Sequence, residues 1–479
     1  MGLRNLIANA NKNRIQRHDN FWNDKKKNFA VAVGSSFVLI QLLFLALLSY
    51  LYGSAYRDST RVHNFNVLMV DYDGGVVGES LRQASLSLSG PDFPTIQEKP
   101  ASQYATQQEV GASRRLSEAL VGGQAATSYN ASNTITYVYN EARYATAESG
   151  YILANMETLI SVSRIVYNNI NGTAALNLVD TTSPAAVQCL LNPIVSSSIN
   201  LKPTPQGTKV LYNTVSLVMP IIMQFFFLMA VNGVAGHFNL YSHLPLKDNG
   251  IIRLGLSTIY TFIGALCTVS YQRAFYESQW LSAGQFVLAW LAIWLYMHIN
   301  FLAIDCLTAF VPMTFLSFFF FSWVILNITT VILPFQLNPG FYHWGYALPA
   351  YETLQVLITI WSAGGANSLH IALPVLFAWE IVLLPLSVLA LHYRCANAAK
   401  EYDENEAAMQ EKYAHHTPST DTSKATEDKI LERRTTVQNQ RTLVSPSVQS
   451  PETGNGYFPS TPMPFQNTLE RVMSPKAAK

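Results

Sequence analysis

Residues Phe29–Leu51 read FAVAVGSSFVLIQLLFLALLSYL, 23 positions without a charged side chain, directly behind Lys25, Lys26 and Lys27. A bilayer core about 30 Å thick takes roughly 20 apolar residues in helix. This run is long enough to cross. Gly53-Ser54-Ala55 has the small residues of a cleavage site. The 28-residue leader and the apolar run are nevertheless both too long for a cleaved signal peptide, so the segment reads as a retained signal anchor.

Five further stretches approach the same length, at about Val215–Ala235, Ile251–Ser270, Gln285–Ile304, Val311–Leu333 and Ile371–His392. Composition agrees: 49% of residues are hydrophobic and 13% charged, against about 25% charged in soluble domains. The expected fold is an α-helical integral membrane protein with six transmembrane helices, one plus five, and an extracytoplasmic α/β domain. Arg253 sits inside the third span and is expected to snorkel. A net charge of +1, with no basic block outside the N-terminus, gives no footprint for nucleic acid.

Sidedness follows from Lys and Arg near the helix ends. Residues 1–28 carry seven of them, whereas the loop from Pro334 to His370 carries none. Both termini are therefore expected in the cytosol, the N-terminal arm ending at residue 28 and the tail beginning at Arg394. Residues 52–212 then lie outside, in agreement with glycosylation acceptors at Asn130-Ala-Ser and Asn171-Gly-Thr. A third triplet, Asn327-Ile-Thr, falls in the fifth span and is expected to stay unused. The tail to residue 479 is polar and cannot bury a core. Its Ser/Thr-Pro pairs at Thr417, Ser445, Ser450, Thr461 and Ser474 are phosphorylation candidates, an unregulated solvated tail being the alternative.

Within residues 52–212, FNVLMVDY, FPTIQEK, NTITYVYNEA and PIVSSSINLKP read as strands. Val76–Leu88, Ser102–Leu120 and about Glu148–Ile170 read as helices. The first strand ends in Asp71-Tyr72-Asp73-Gly74-Gly75. Two acids one residue apart after a strand suggest an aspartate nucleophile of the haloacid-dehalogenase type. Gly75 stands where that chemistry needs Thr or Ser, however, and the chain has no adjacent Asp-Asp pair for magnesium. A DxD sugar-transferase reading lacks any accompanying nucleotide site. Asp71, Asp73, Gly74 and Gly75 are instead read as a strand end and turn, the aspartates accepting from nearby amides and from the next helix start. No catalytic residue, cofactor or metal is assigned, and the chain is not expected to be an enzyme.

Chemistry is sought in the membrane, where a charge at mid-bilayer costs about 2.5–3.5 kcal/mol even on the lenient insertion scale. Glu380 is central in the sixth span. His298 and Asp305, seven apart on the fourth, share a face, with Asp305 near the cytosolic end and open to water. Gln224, Asn232 and Asn327 add amides. A polar path between helices is one reading of this set; interhelical hydrogen bonds that only hold the bundle together are the other. No GxxxxGK[ST] occurs, so ATP would have to be bound by a separate ATPase subunit. In the loop before the last span, Phe341, Tyr342, Trp344 and Tyr346 suit the headgroup level, and the following AYETLQVLITIWSAGG reads as a helix along or dipping into the interface.

One span, a large domain opening with a strand and VDYDGG, five clustered spans, and FYHWGYALPAYE before the last resemble the fungal nitrosoguanidine-resistance membrane proteins. These are similar in turn to type-2 ABC exporter permeases and bacterial phage-infection membrane proteins. The resemblance implies resistance to toxic small molecules at the plasma membrane, with the endoplasmic reticulum or another secretory-pathway membrane as the alternative. It supplies no catalytic residues. The functional expectation is permease-like export, in contact with membrane lipids and in a homodimer that would enclose the path. A non-transporting scaffold or regulator of lipid organisation or of other transporters is the alternative.

Overall fold

The structure, a computed structural model, describes residues 23–104, 111–204, 211–275, 282–365 and 367–414. The five Ser/Thr-Pro sites lie outside the described residues. Among the described residues six helices are long and apolar enough to cross a membrane. They are α1 (Asn23–Ser54), α7 (Ser216–His237), α8 (Leu246–Ala274), α9 (Ala283–Phe310), α10 (Met313–Ile332) and α12 (Leu369–Ala414).

The apolar runs form helices because no backbone group can stay unpaired in lipid, and the polar ends are capped by their own residues. Ser282 and Gln285 form a capping box at the start of α9. Helix α8 begins at Leu246, earlier than hydropathy alone suggests, so Arg253 lies inside its second turn. Helices α8 and α9 pack closely: a Cβ on Gly264 would come within 2.7 Å of Met297 Cε. Trp290 Nε1 donates to the Phe262 carbonyl at 3.0 Å. Tyr260 stacks on Phe227 of α7 with centroids 3.6 Å apart. Helix α1 stands apart from this group. It touches α10 through Phe44 and Phe321, centroids 4.8 Å apart, and turns Phe37 and Leu45 outward.

Between α1 and α7, β1 (Asn66–Val70) pairs in parallel with β2 (Thr95–Lys99), and β3 (Ile135–Tyr139) with β4 (Ser196–Asn200). Parallel neighbours need helical crossovers. Helix α2 (Val76–Leu88) supplies the first, and α5 (Ala154–Leu178) with α6 (Pro184–Leu191) the second. Helix α3 is confined to Ala112–Leu120 rather than starting near Ser102, where a short 3-10 turn stands instead. Glu148–Leu153 forms a π-helical turn, and regular α5 follows it, running further than the expected end at Ile170. The core of this region joins Val77 of α2, Leu116 and Leu120 of α3, Tyr167 of α5 and Ile194.

The segment before the last span forms the expected helix, packed against neighbouring spans. After the 3-10 turn Gly340–Ala347, helix α11 (Pro349–Trp361) is largely buried against α9 and α10. Neighbouring spans satisfy its ends. Asn327 Oδ1 of α10 accepts the Ala350 N–H at 3.2 Å, and Gln285 Nε2 of α9 donates to the Ile360 carbonyl at 2.6 Å. These are the orphan amides and carbonyls that a short helix leaves at its termini. Thirteen residues at 1.5 Å each give about 20 Å, too short for a seventh crossing. Tyr342 is buried beside Tyr50 of α1, centroids 4.8 Å apart, while Phe341, Trp344 and Tyr346 remain exposed.

Candidate functional site: two polar layers between three spans

Helices α8, α9 and α12 each contribute one residue to two polar layers. In the first, Asp305 of α9 accepts from Arg253 of α8 and Arg394 of α12. Arg253 Nε reaches Oδ2 at 3.0 Å while its Nη2 donates to Oδ1, and Arg394 Nη2 donates to the same Oδ1 at 3.0 Å. Further donors of both guanidiniums are used as well. Arg253 donates to the Tyr241 hydroxyl at 2.8 Å and to Asn232 Oδ1 at 2.9 Å. Arg394 donates to Thr308 Oγ1 at 2.9 Å. Arg253 is 8% exposed and Asp305 2%. Burial corrects two expectations: Arg253 does not snorkel, because a carboxylate reaches it inside the bundle, and Asp305 is not wet. A charge pair removed from water persists only with such saturation.

The second layer is Ser257 of α8, His298 of α9 and Glu380 of α12. His298 Nδ1 lies 2.6 Å from Glu380 Oε1, and His298 Nε2 lies 3.3 Å from Ser257 Oγ. Ser257 also donates to the Leu254 carbonyl at 2.8 Å. Two proton placements satisfy all three contacts: His298 carrying a proton on both nitrogens beside a Glu380 carboxylate, or a neutral His298 with its proton on Nε2, accepting at Nδ1 from the Glu380 carboxyl. With a neutral imidazole protonated on Nδ1, Ser257 must turn from Leu254 toward Nε2. Glu380 Oε2 is buried with no partner among the described residues. The layer thus has two hydrogen-bonding states and one unused acceptor. Ser, His and Glu in this order have the outline of a nucleophilic triad, but in the arrangement seen Ser257 donates to the Leu254 carbonyl.

Spacing places these residues on common faces. Arg253 and Ser257 are one turn apart, His298 and Asp305 two turns, and Glu380 and Arg394 about four turns at 3.6 residues per turn. The hydrophobic pattern carries this signal for all three helices. Pairing across helices is what it does not reveal, so Ser257 and Arg394 were not foreseen as members.

The amides take other places. Gln224 is fully buried in α7, its Nε2 donating to the Pro220 carbonyl at 3.0 Å and its Oε1 unpaired among the described residues. Asn327 serves α11 as above and donates to the Trp323 carbonyl at 2.9 Å. Neither joins the two layers. Asn232 does, as an acceptor for both arginines. Asn300, not singled out by sequence, accepts from Trp323 Nε1 at 2.9 Å.

The aspartates after β1 are engaged by backbone. Asp71 Oδ1 accepts the amides of Asp73 and Gly74 at 2.9 and 3.0 Å, and Gly74 has φ +59°, the left-handed conformation that favours glycine. Asp73 does not cap the next helix; its carboxylate accepts from Ser113 at the start of α3, whose Oγ in turn accepts the Val77 N–H at 3.0 Å. Gly75 admits this approach, since a Cβ there would come within 2.4 Å of Ser113 Oγ. Asn130 is exposed ahead of the turn Ala131–Asn133, accepting from Ser132 N–H at 3.0 Å. Asn171 lies on α5 and donates to the Tyr167 hydroxyl at 3.0 Å. Among the described residues no group of three or more His, Cys, Asp or Glu is arranged to hold a metal ion.

No solved structure matches the chain. The family described as protein of unknown function (DUF3533) matches residues 36–384, which takes in most of α1, the four strands, α7 to α11 and Glu380. The match covers well over half of the sequence, and the chain, a membrane protein with six candidate spans, belongs to that family.

Proposed function

We propose that this protein is a permease-like exporter of toxic small molecules, with the Ser257–His298–Glu380 layer as a polar station on the path. The observation that carries the reading is the unpaired Glu380 Oε2, midway along the apolar part of α12 and next to an imidazole with two hydrogen-bonding states. A buried carboxylate without a full complement of donors is unfavourable as mere glue. It suits a group that takes up a proton or a donor from a passing molecule. The saturated Arg253–Asp305–Arg394 layer holds the same three helices together.

The reading is completed by sidedness and place. The basic N-terminal arm and the tail face the cytosol, the strand-bearing region between α1 and α7 faces outward with glycans at Asn130 and Asn171, and the membrane is the plasma membrane. Resemblance to the fungal nitrosoguanidine-resistance proteins supports the substrate class. Without a phosphate-binding loop in the sequence, the driving force comes from an ion gradient or from a partner ATPase.

The test is flux. In proteoliposomes or cells, Glu380→Gln is expected to abolish export of a toxic compound at unchanged surface abundance. Export at the wild-type rate would remove the role assigned to Glu380, and the absence of flux from wild-type protein with either ATP plus cytosolic extract or a proton gradient would remove the exporter reading.

A further inference from the structure

The two strand pairs do not form one sheet. Among the described residues β1 bonds only to β2 and β3 only to β4, and a cavity of about 900 Å³ is lined by β1 and β3 together. Every residue of β1 and of β3 lines it, whereas β2 contributes only Ile96 and β4 only Ile199. The floor comes from α11, through Tyr351, Gln355 and Ile358.

The lining has a distinct chemistry. Val67, Ile135, Ile152 and Met156 form an apolar wall, and six tyrosines, Tyr72, Tyr104, Tyr137, Tyr139, Tyr144 and Tyr351, line the space. Of the acids there, Asp71 and Asp73 are occupied by the turn amides and Ser113. Glu148 is not: it forms no ion pair among the described residues, and Arg143, the basic residue of the lining, is exposed. Glu148 opens the π-helical turn, a distortion frequent at functional sites. Burial pushes its carboxyl up to about 7, with Glu141 adding to the rise and Arg143 opposing it. Two more lining groups, Asn140 Oδ1 and the Tyr144 hydroxyl, are buried without partners among the described residues.

We propose that this cavity binds a small aromatic cation, its ring against the tyrosines and its positive charge beside Glu148. Aromatic faces attract cations within about 6 Å of the ring centroid. The volume falls within the range of about 300–1,000 Å³ usual for small-molecule sites, and the lining mixes the apolar wall with polar groups. The site stands whether or not the protein transports, since binding is read without flux.

The probe is rhodamine 6G, titrated by fluorescence anisotropy against purified full-length protein in phosphatidylcholine nanodiscs. Rhodamine B, with the same ring system but no net charge, is the comparison. The expected result is saturable binding of rhodamine 6G, at least tenfold tighter than rhodamine B. Glu148→Gln weakens it at least tenfold, Glu148→Asp by less than threefold. Val138→Trp, at an exposed lining position of β3, abolishes it by filling the space. Thermal unfolding of each variant verifies that the fold persists. Equal affinity in Glu148→Gln and wild type, retention in Val138→Trp, or only the non-saturable uptake given by empty nanodiscs would overturn the proposal.

Discussion

The layers on α8, α9 and α12 are built from the same helices and differ in how completely their hydrogen-bonding capacity is used. Around Asp305, two guanidiniums, two side-chain acceptors and a hydroxyl leave no gap. Around Glu380, one carboxylate oxygen has a partner and the other has none among the described residues. A saturated buried charge cluster has one arrangement and resists change; an unsaturated one keeps an acceptor free for another donor. On the proposed reading, the difference separates what fixes the bundle from what acts within it.

The largest expected effect tests the saturated layer. Asp305→Ala leaves Arg253 and Arg394 buried without a counter-ion, a loss of about 3–5 kcal/mol. It should appear as a collapse in the yield of folded protein and in its melting temperature in detergent. Normal yield would show that the layer is dispensable for the fold. Glu380→Gln sharpens the contrast from the other side: export falls to background, while stability changes by less than about 1 kcal/mol because Gln is nearly isosteric and neutral.

Glu148, outside the spans, gives a pH signature. Its carboxyl holds a proton more tightly in the folded chain, at about 7, than at the ordinary 4.5. Stability is therefore lost as pH rises from the lower value through the upper one, by about 2 kcal/mol after relaxation. Glu148→Gln should raise the melting temperature at pH 8 and leave it unchanged near pH 4.5; an equal rise at both would assign the effect to packing. Asn327→Ala removes the acceptor for the Ala350 amide and should cost about 1 kcal/mol in thermal unfolding. The smallest effect is expected for Asp71→Asn, which retains the oxygen that accepts from Asp73 and Gly74. A change below about 0.5 kcal/mol, with export intact, would set this motif apart from Glu380. Loss of export in that variant would restore a chemical role to the motif.

The helices of the membrane region were legible because twenty apolar residues in a row have few other outcomes, and the four strands because Val, Ile, Thr and Tyr cluster between turn residues. The layers were half legible. His298 and Asp305 announce a common face by their spacing, and Glu380 by its isolation in apolar sequence. What carries Asp305, however, is 52 residues away in Arg253 and 89 away in Arg394. Local pattern holds no record of such pairing. The same holds for Asp73, whose partner Ser113 is 40 residues on, and for Asn327, whose acceptor role depends on α11 folding back against α10. The gap between β1 and β3 was hidden for the converse reason: each strand has a good pattern, and pattern does not say which neighbours stay unpaired.

The separateness of α1 has a consequence for the order in which the protein is made. Its aromatic partners, Phe321 on α10 and Tyr342 in the turn before α11, lie almost 300 residues later in the chain. At about 5–20 residues per second, that is roughly 15–60 s of synthesis. For that interval α1 must hold its place with lipid alone for company, while the strand-bearing region folds behind it. A mean hydropathy of 2.0 over Val33–Ser54, with no charged residue from Asn28 to Tyr56, equips it to wait.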